Sequence, residues 1–100
     1  MNAGNFSLGD TLDIKFTTIA STGAPTALVG GAVAAYPGNS TTEITAGITL
    51  TADFDTRTGL NNVRVVATSG NGFATATNYV LVITAGTVDA ISVVGYVIAH

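Results

Sequence analysis

One hundred residues hold a single domain and leave no room for a second. Three basic residues, Lys15, Arg57 and Arg64, stand against six acidic ones for a net charge of −3, a balance too sparse and too negative to grip nucleic-acid phosphates. A chain that is 47% apolar and 9% charged does not stay disordered, and the absence of cysteine excludes disulfides, thiolate metal sites and a cysteine nucleophile.

Residues 1–10 read as an N-terminal arm and residues 11–100 as one β-sandwich domain. Met1-Asn2-Ala3-Gly4 lacks the basic start and apolar run of a secretion signal, so synthesis and folding in the cytoplasm are expected. The longest apolar stretches, Ala27 to Tyr36 and Ile91 to Ala99, are interrupted by glycine and fall short of the roughly 20 residues of a membrane helix. A membrane partner is therefore not expected.

Thr11 to Thr18 is the clearest strand, because Leu12, Ile14 and Phe16 alternate with Asp13, Lys15 and Thr17. Ser21 to Thr26 forms a turn around Gly23 and Pro25, and Leu28 plugs the core beyond it. Gly31 to Tyr36 is a small-residue strand ended by the Pro37 to Thr42 loop. Glu43 to Thr45 pairs briefly at an edge and Ile48 to Ala52 alternates again. Asp53 to Asn61 leads to the next strand, with Thr58-Gly59 at the bend and Leu60 as its inward anchor.

Val63 to Thr68 continues the sheet. Asn71-Gly72 suits a tight hairpin, which makes Phe73 to Thr84 its antiparallel partner. Ile91 to Ile98 closes the sheet after a turn over Ala85 to Ala90. No segment has the three-four apolar spacing of a helix. The fold class expected is therefore all-β, an immunoglobulin-like antiparallel sandwich of about seven strands.

The C-terminal strands depart from simple alternation. Tyr79 to Ile83 and Ile91 to Ile98 are apolar at nearly every position, as strands covered on both faces are. With Tyr79, Leu81, Ile83, Ile91, Val93 and Val97 turned inward, Val80, Val82, Val94, Tyr96 and Ile98 form an outward apolar surface, the candidate interface. Valine's high strand propensity is the plainer explanation of the same residues.

Residues suited to chemistry are few. The one histidine, His100, ends the sequence and has no second histidine or cysteine to work with, so no triad or imidazole metal site is expected. Asp53 and Asp55, with Asn61 or Asn62, offer a fragment of a calcium ligand set or an acid pair for hydrolysis, although aspartates before a Thr-Gly bend more often accept backbone N–H groups. Phe16, Phe54 and Tyr79 read as core, and Tyr36 beside the Pro37 loop is the weak ligand candidate for a glycan. No catalytic residue, metal or cofactor is assigned. The sequons at Asn5 and Asn39 are idle without secretion.

Several segments carry a resemblance: Phe6-Ser7-Leu8-Gly9-Asp10-Thr11, Phe16-Thr17-Thr18, Thr22-Gly23-Ala24-Pro25-Thr26, Asn39-Ser40-Thr41-Thr42-Glu43, Asp53 to Leu60, and Val82 to Val88 with Ser92-Val93-Val94-Gly95. Together they resemble phage-encoded virion-associated proteins. The opening Gly-Asp-Thr before an alternating strand, with a Gly-x-Pro turn after it, is also similar to the immunoglobulin-like N-terminal domain of phage baseplate upper proteins. The resemblance implies a non-enzymatic virion component. A capsid decoration or accessory subunit in a symmetric array, held by other virion proteins, comes first. A tail or baseplate fibre anchor, or a host-surface glycan module, is the alternative.

Overall fold

The computed structural model describes residues 7–75 and 77–99. Their strands are β1 (Thr11–Thr17), β2 (Leu28–Pro37), β3 (Ile48–Thr51), β4 (Leu60–Val66), β5 (Tyr79–Val88), β6 (Ile91–Ser92) and β7 (Val97–Ala99). One antiparallel sheet has the order β1-β4-β3, and the other places β2 on one side of β5 with β6 and β7 along its other side. Consecutive strands switch sheets at β1 to β2, β2 to β3 and β4 to β5. This is the strand arrangement of an immunoglobulin-like sandwich from its second strand onward, with the final strand broken in two.

The corner between β4 and β5 carries a further mark of that fold. Tyr79 opens β5, and its hydroxyl accepts a 2.7 Å hydrogen bond from the backbone N–H of Ala74, five residues upstream. A tyrosine that starts this strand and ties back to the preceding corner is characteristic of immunoglobulin-like domains. Its ring also meets Phe73 at a centroid distance of 5.0 Å, tilted by 53°. Leu81, two residues on, occupies the position that holds a disulfide cysteine in antibody domains. Aliphatic packing takes over that role in a chain without cysteine.

The core lies between the sheets. Ile14 of β1 and Val63 and Val65 of β4 face Val33 and Ala35 of β2, Leu81 and Ile83 of β5, and Ile98 and Ala99 of β7. Leu12, Phe16, Ile48, Leu50 and Val93 pack around its margin. Glycine is required where Leu28 folds over the sheet. A Cβ on Gly86, whose φ is 129°, would lie 2.9 Å from Leu28 Cδ1 and 3.0 Å from the Gly31 backbone.

Four expectations are corrected. Asn71-Gly72 does not make a hairpin: Ser69–Asn71 forms a 3-10 turn and the chain crosses to the other sheet, so β4 and β5 are not paired. The strand begins at Tyr79 rather than at Phe73. A tight hairpin does occur at Asp89-Ala90, where both residues take positive φ (51° and 63°), the geometry of a type I′ turn. Leu60 takes the outward parity of β4, and Asn61 fills the inward position beside it.

The fourth correction concerns the last strand. Val93 to Tyr96 forms a turn in which the Tyr96 N–H donates to the Val93 carbonyl, with Gly95 at φ 97°. The Gly95 N–H donates to the Ile83 carbonyl, while the Ile83 N–H donates to the Tyr96 carbonyl. Two residues thus oppose one, which is a glycine bulge. A second irregularity follows, since Val97 pairs with Val82 but Ala99 pairs with Leu81, leaving Ile98 between them. Parity is therefore lost across Val93 to Ile98. Ile98 is 8% exposed and in the core, whereas Val97 and Ile91, expected inside, are 53% and 59% exposed.

The Tyr79 hydroxyl has a direct stability test. Tyr79→Phe should cost about 1 kcal/mol by leaving the Ala74 N–H without this acceptor, read as a fall in Tm of roughly 4–8 °C for a domain of this size. An unchanged Tm would show that the corner does not depend on the hydroxyl.

Candidate interaction face

The two sheets present opposite chemistry to their surroundings. On the β1-β4-β3 sheet the outward positions include Asp13, Lys15, Asn62, Arg64, Thr49 and Thr51. On the other sheet, none of β2, β5, β6 and β7 carries a charged residue. Alternation along β5 sends Leu81 and Ile83 inward and Val80 and Val82 outward. The ladder then sets Tyr36 opposite Val80 and Ala34 opposite Val82, with Val97 on the other side of Val82. Directly opposed side chains lie about 5 Å apart, so Tyr36, Val80, Val82 and Val97 form one patch, with Ala34 fully buried among them.

Of the expected interface residues, Val80 and Val82 lie on this patch as half-buried groups. Val94 and Tyr96 are 59% and 64% exposed at the turn beside the free edge. Ile98 leaves the set because the bulge turns it into the core, and Val97 replaces it. The only sequence signal for that exchange is Gly95, whose role as a bulge depends on Ile83 across the ladder.

Tyr36 belongs to the same patch rather than to a separate pocket. Its hydroxyl donates to Glu43 Oε2 at 3.2 Å. Burial, reinforced by the Glu43 carboxylate, raises the phenol above its ordinary pKa, so it stays a neutral donor at physiological pH. The brief edge pairing expected near Glu43 is present as a bridge between Ile44 and Ala35.

The acidic candidates do not converge. Asp53 Oδ1 accepts the Gly59 N–H at 3.0 Å, and Asp55 lies 3.7 Å from Arg57 at the surface. Asn61 and Asn62 point to opposite faces of β4. The Asn61 amide nitrogen serves the Phe16 carbonyl, the Thr18 hydroxyl and the Gly59 carbonyl, locking two loops to the sheet end, while its buried Oδ1 has no hydrogen-bond partner. Among the described residues no group of three or more His, Cys, Asp or Glu side chains is placed to hold a metal. Phe54, expected in the core, lies outside it, with its ring 4.5 Å from Lys15 Nζ.

A cleft of about 380 Å³ opens between the free edges of β2 and β3. It is lined by glycine, aliphatic and threonine residues, including Val33, Leu50 and Thr84, and contains no titratable side chain. Ser7 to Asp10, the described end of the expected arm, is a turn fastened to the domain by the Gly9 N–H on the Ala67 carbonyl. Residues 1–6 and His100 lie outside the described residues.

On the polar face, Arg64 grips Asp13 with two hydrogen bonds of 2.9 and 3.1 Å. That contact, helped by Asn62, holds the Asp13 carboxyl below the usual aspartate range. Because the folded-state pKa is the lower one, the pair's contribution is complete above the unfolded-state value and is lost as pH falls through the folded one. An NMR titration should find Asp13 depressed, and Arg64→Ala should move it upward. Titration unchanged by that substitution would contradict this assignment.

No family model, curated protein or solved structure matches the chain.

Proposed function

We propose that this protein is a non-enzymatic structural subunit of a phage particle, most simply a capsid decoration or accessory protein, attached through the uncharged outer face of the β2-β5-β7 sheet. The observation that carries the reading is the Tyr36, Val80, Val82 and Val97 patch, on a sheet whose strands hold no charge, against a polar opposite face. Contiguous apolar surface on an outer sheet face marks contact sites between proteins. The segments resembling virion-associated proteins support the phage setting, with the virion as its location and other virion proteins or further copies as partners.

An assembly role also suits the energetics. Alanine fills many of the buried positions, including Ala34, Ala35, Ala67 and Ala99, and burial of so small a side chain contributes little. Neighbours in a lattice add buried surface and stabilise the folded state by mass action. The cleft without titratable groups and the engagement of Asp53 by Gly59 support a role without catalysis. The likeness to baseplate upper proteins supports a tail or baseplate anchor as the second setting for the same face. Nothing comparable favours a glycan, since the Tyr36 hydroxyl is already engaged by Glu43.

Replacing Val82 and Val97 by glutamate puts two charges on the patch without touching the core. The double variant should keep its circular dichroism spectrum and lose assembly with its partner or its own copies by a hundredfold or more, since an unpaired charge buried at an interface costs about 3 kcal/mol. Assembly at wild-type affinity would overturn the assignment of this face. Absence of the protein from purified phage particles would overturn the virion reading itself.

A further inference from the structure

The opposite, polar face holds a second arrangement, independent of the assembly surface. Lys15 of β1 and Asn62 of β4 are direct register partners in the antiparallel ladder. The Lys15 amine lies 3.1 Å from Asn62 Oδ1, and the Asn62 amide nitrogen donates to Asp13 Oδ1 at 3.2 Å. Asp13 is two residues before Lys15 on the same face of β1, so the strand fixes amine, carboxamide and carboxylate together. Asn62 itself is buried beneath these neighbours.

We propose that Lys15 and Asn62 join in an intramolecular isopeptide bond, with Asp13 carrying the proton. The neutral Lys15 amine attacks Asn62 Cγ, a bond forms between Nζ and Cγ, and the bond from Cγ to Nδ2 breaks. Asp13, already hydrogen-bonded to Nδ2, takes the proton released by the attacking amine and delivers it to the departing nitrogen. One amine and one primary amide become one secondary amide and one ammonia. No electrons change hands and no co-reactant is needed. Register pairing supplies the proximity that an intermolecular version of this reaction lacks.

The surroundings also set the pace. Lys15 must be neutral to attack, and its amine lies 4.5 Å from the centre of the Phe54 ring. Arg64 holds both Asp13 oxygens and lowers their affinity for the proton they must carry. Asp13 and Arg64 share the outward face of the two strands with the amine, and Asp53 and Asp55 flank Phe54 in sequence. The nucleophile is an unprotonated amine, so the reaction runs faster at higher pH.

Intact-mass and tryptic peptide analysis of the full chain, held for several days at neutral pH and at about pH 9, tests this. The expected result is loss of one ammonia and a branched peptide in which Thr58 to Arg64 is joined to Met1 to Arg57, with the cut after Lys15 absent. The branched peptide should accumulate faster at the higher pH, increase severalfold in Arg64→Ala, and vanish in Lys15→Arg. Ammonia loss confined to the Thr58 to Arg64 peptide that persists undiminished in Lys15→Arg would reveal ring closure of an asparagine on its own backbone and overturn the proposal. So would the absence of the branched peptide from the wild-type chain at both pH values. An undiminished rate in Asp13→Asn would overturn the role of Asp13.

Discussion

The inward parity of β5 is the constraint on which this domain depends. Leu81 and Ile83 pack in one cluster with Val63 and Val65 of β4 and Val33 and Ala35 of β2, and that seam is the centre of the core. A strand has only two faces, so burying these two residues forces Val80 and Val82 to the other side. The apolar outer patch is thus a geometric consequence of how the core is filled. Tyr79 fixes the start of the strand, because its bond to the Ala74 N–H sets where β5 begins and hence which residues alternate inward.

The two sheets divide the work between them. The β1-β4-β3 sheet carries the Asp13–Arg64 pair and the Lys15–Asn62 contact, so its outer face is well satisfied by its own cross-strand partners. An exposed pair of this kind adds little stability, but it keeps that face wet and unattractive to apolar surfaces. The β2-β5 sheet has no such groups. The asymmetry gives the molecule one face that sheds water readily and one that does not.

Much of the architecture was legible from local pattern. β1 alternates cleanly, and the sandwich class follows from short strands at regular spacing without helical periodicity. What escaped was set by partners distant in sequence. Asn71-Gly72 has the local chemistry of a hairpin, yet the Phe73 and Tyr79 corner sends the chain to the other sheet. The tight turn fell on Asp89-Ala90, within the turn expected over Ala85 to Ala90 but shorter, and only Ala90 is an unusual residue at positive φ. Asn61 gave no sign of pointing inward, since its burial depends on three acceptors, at Phe16 in β1, at Thr18 beyond it and at Gly59 before β4. Val80 and Val82 take the outward parity where alternation is uninterrupted, and Ile98 turns inward where the Gly95 bulge intervenes.

That bulge has a bearing on colloidal behaviour. Ordinary sheet proteins guard an open border with lysines or other charges, which a chain this poor in charge cannot supply. Here the border strand is broken into pieces of two and three residues by the Val93 to Tyr96 turn, and the pieces are out of step with each other. A foreign strand laid alongside finds no straight run of free N–H and carbonyl groups to copy. Backbone irregularity thus takes the place of electrostatic gatekeeping along this one border of the sheet.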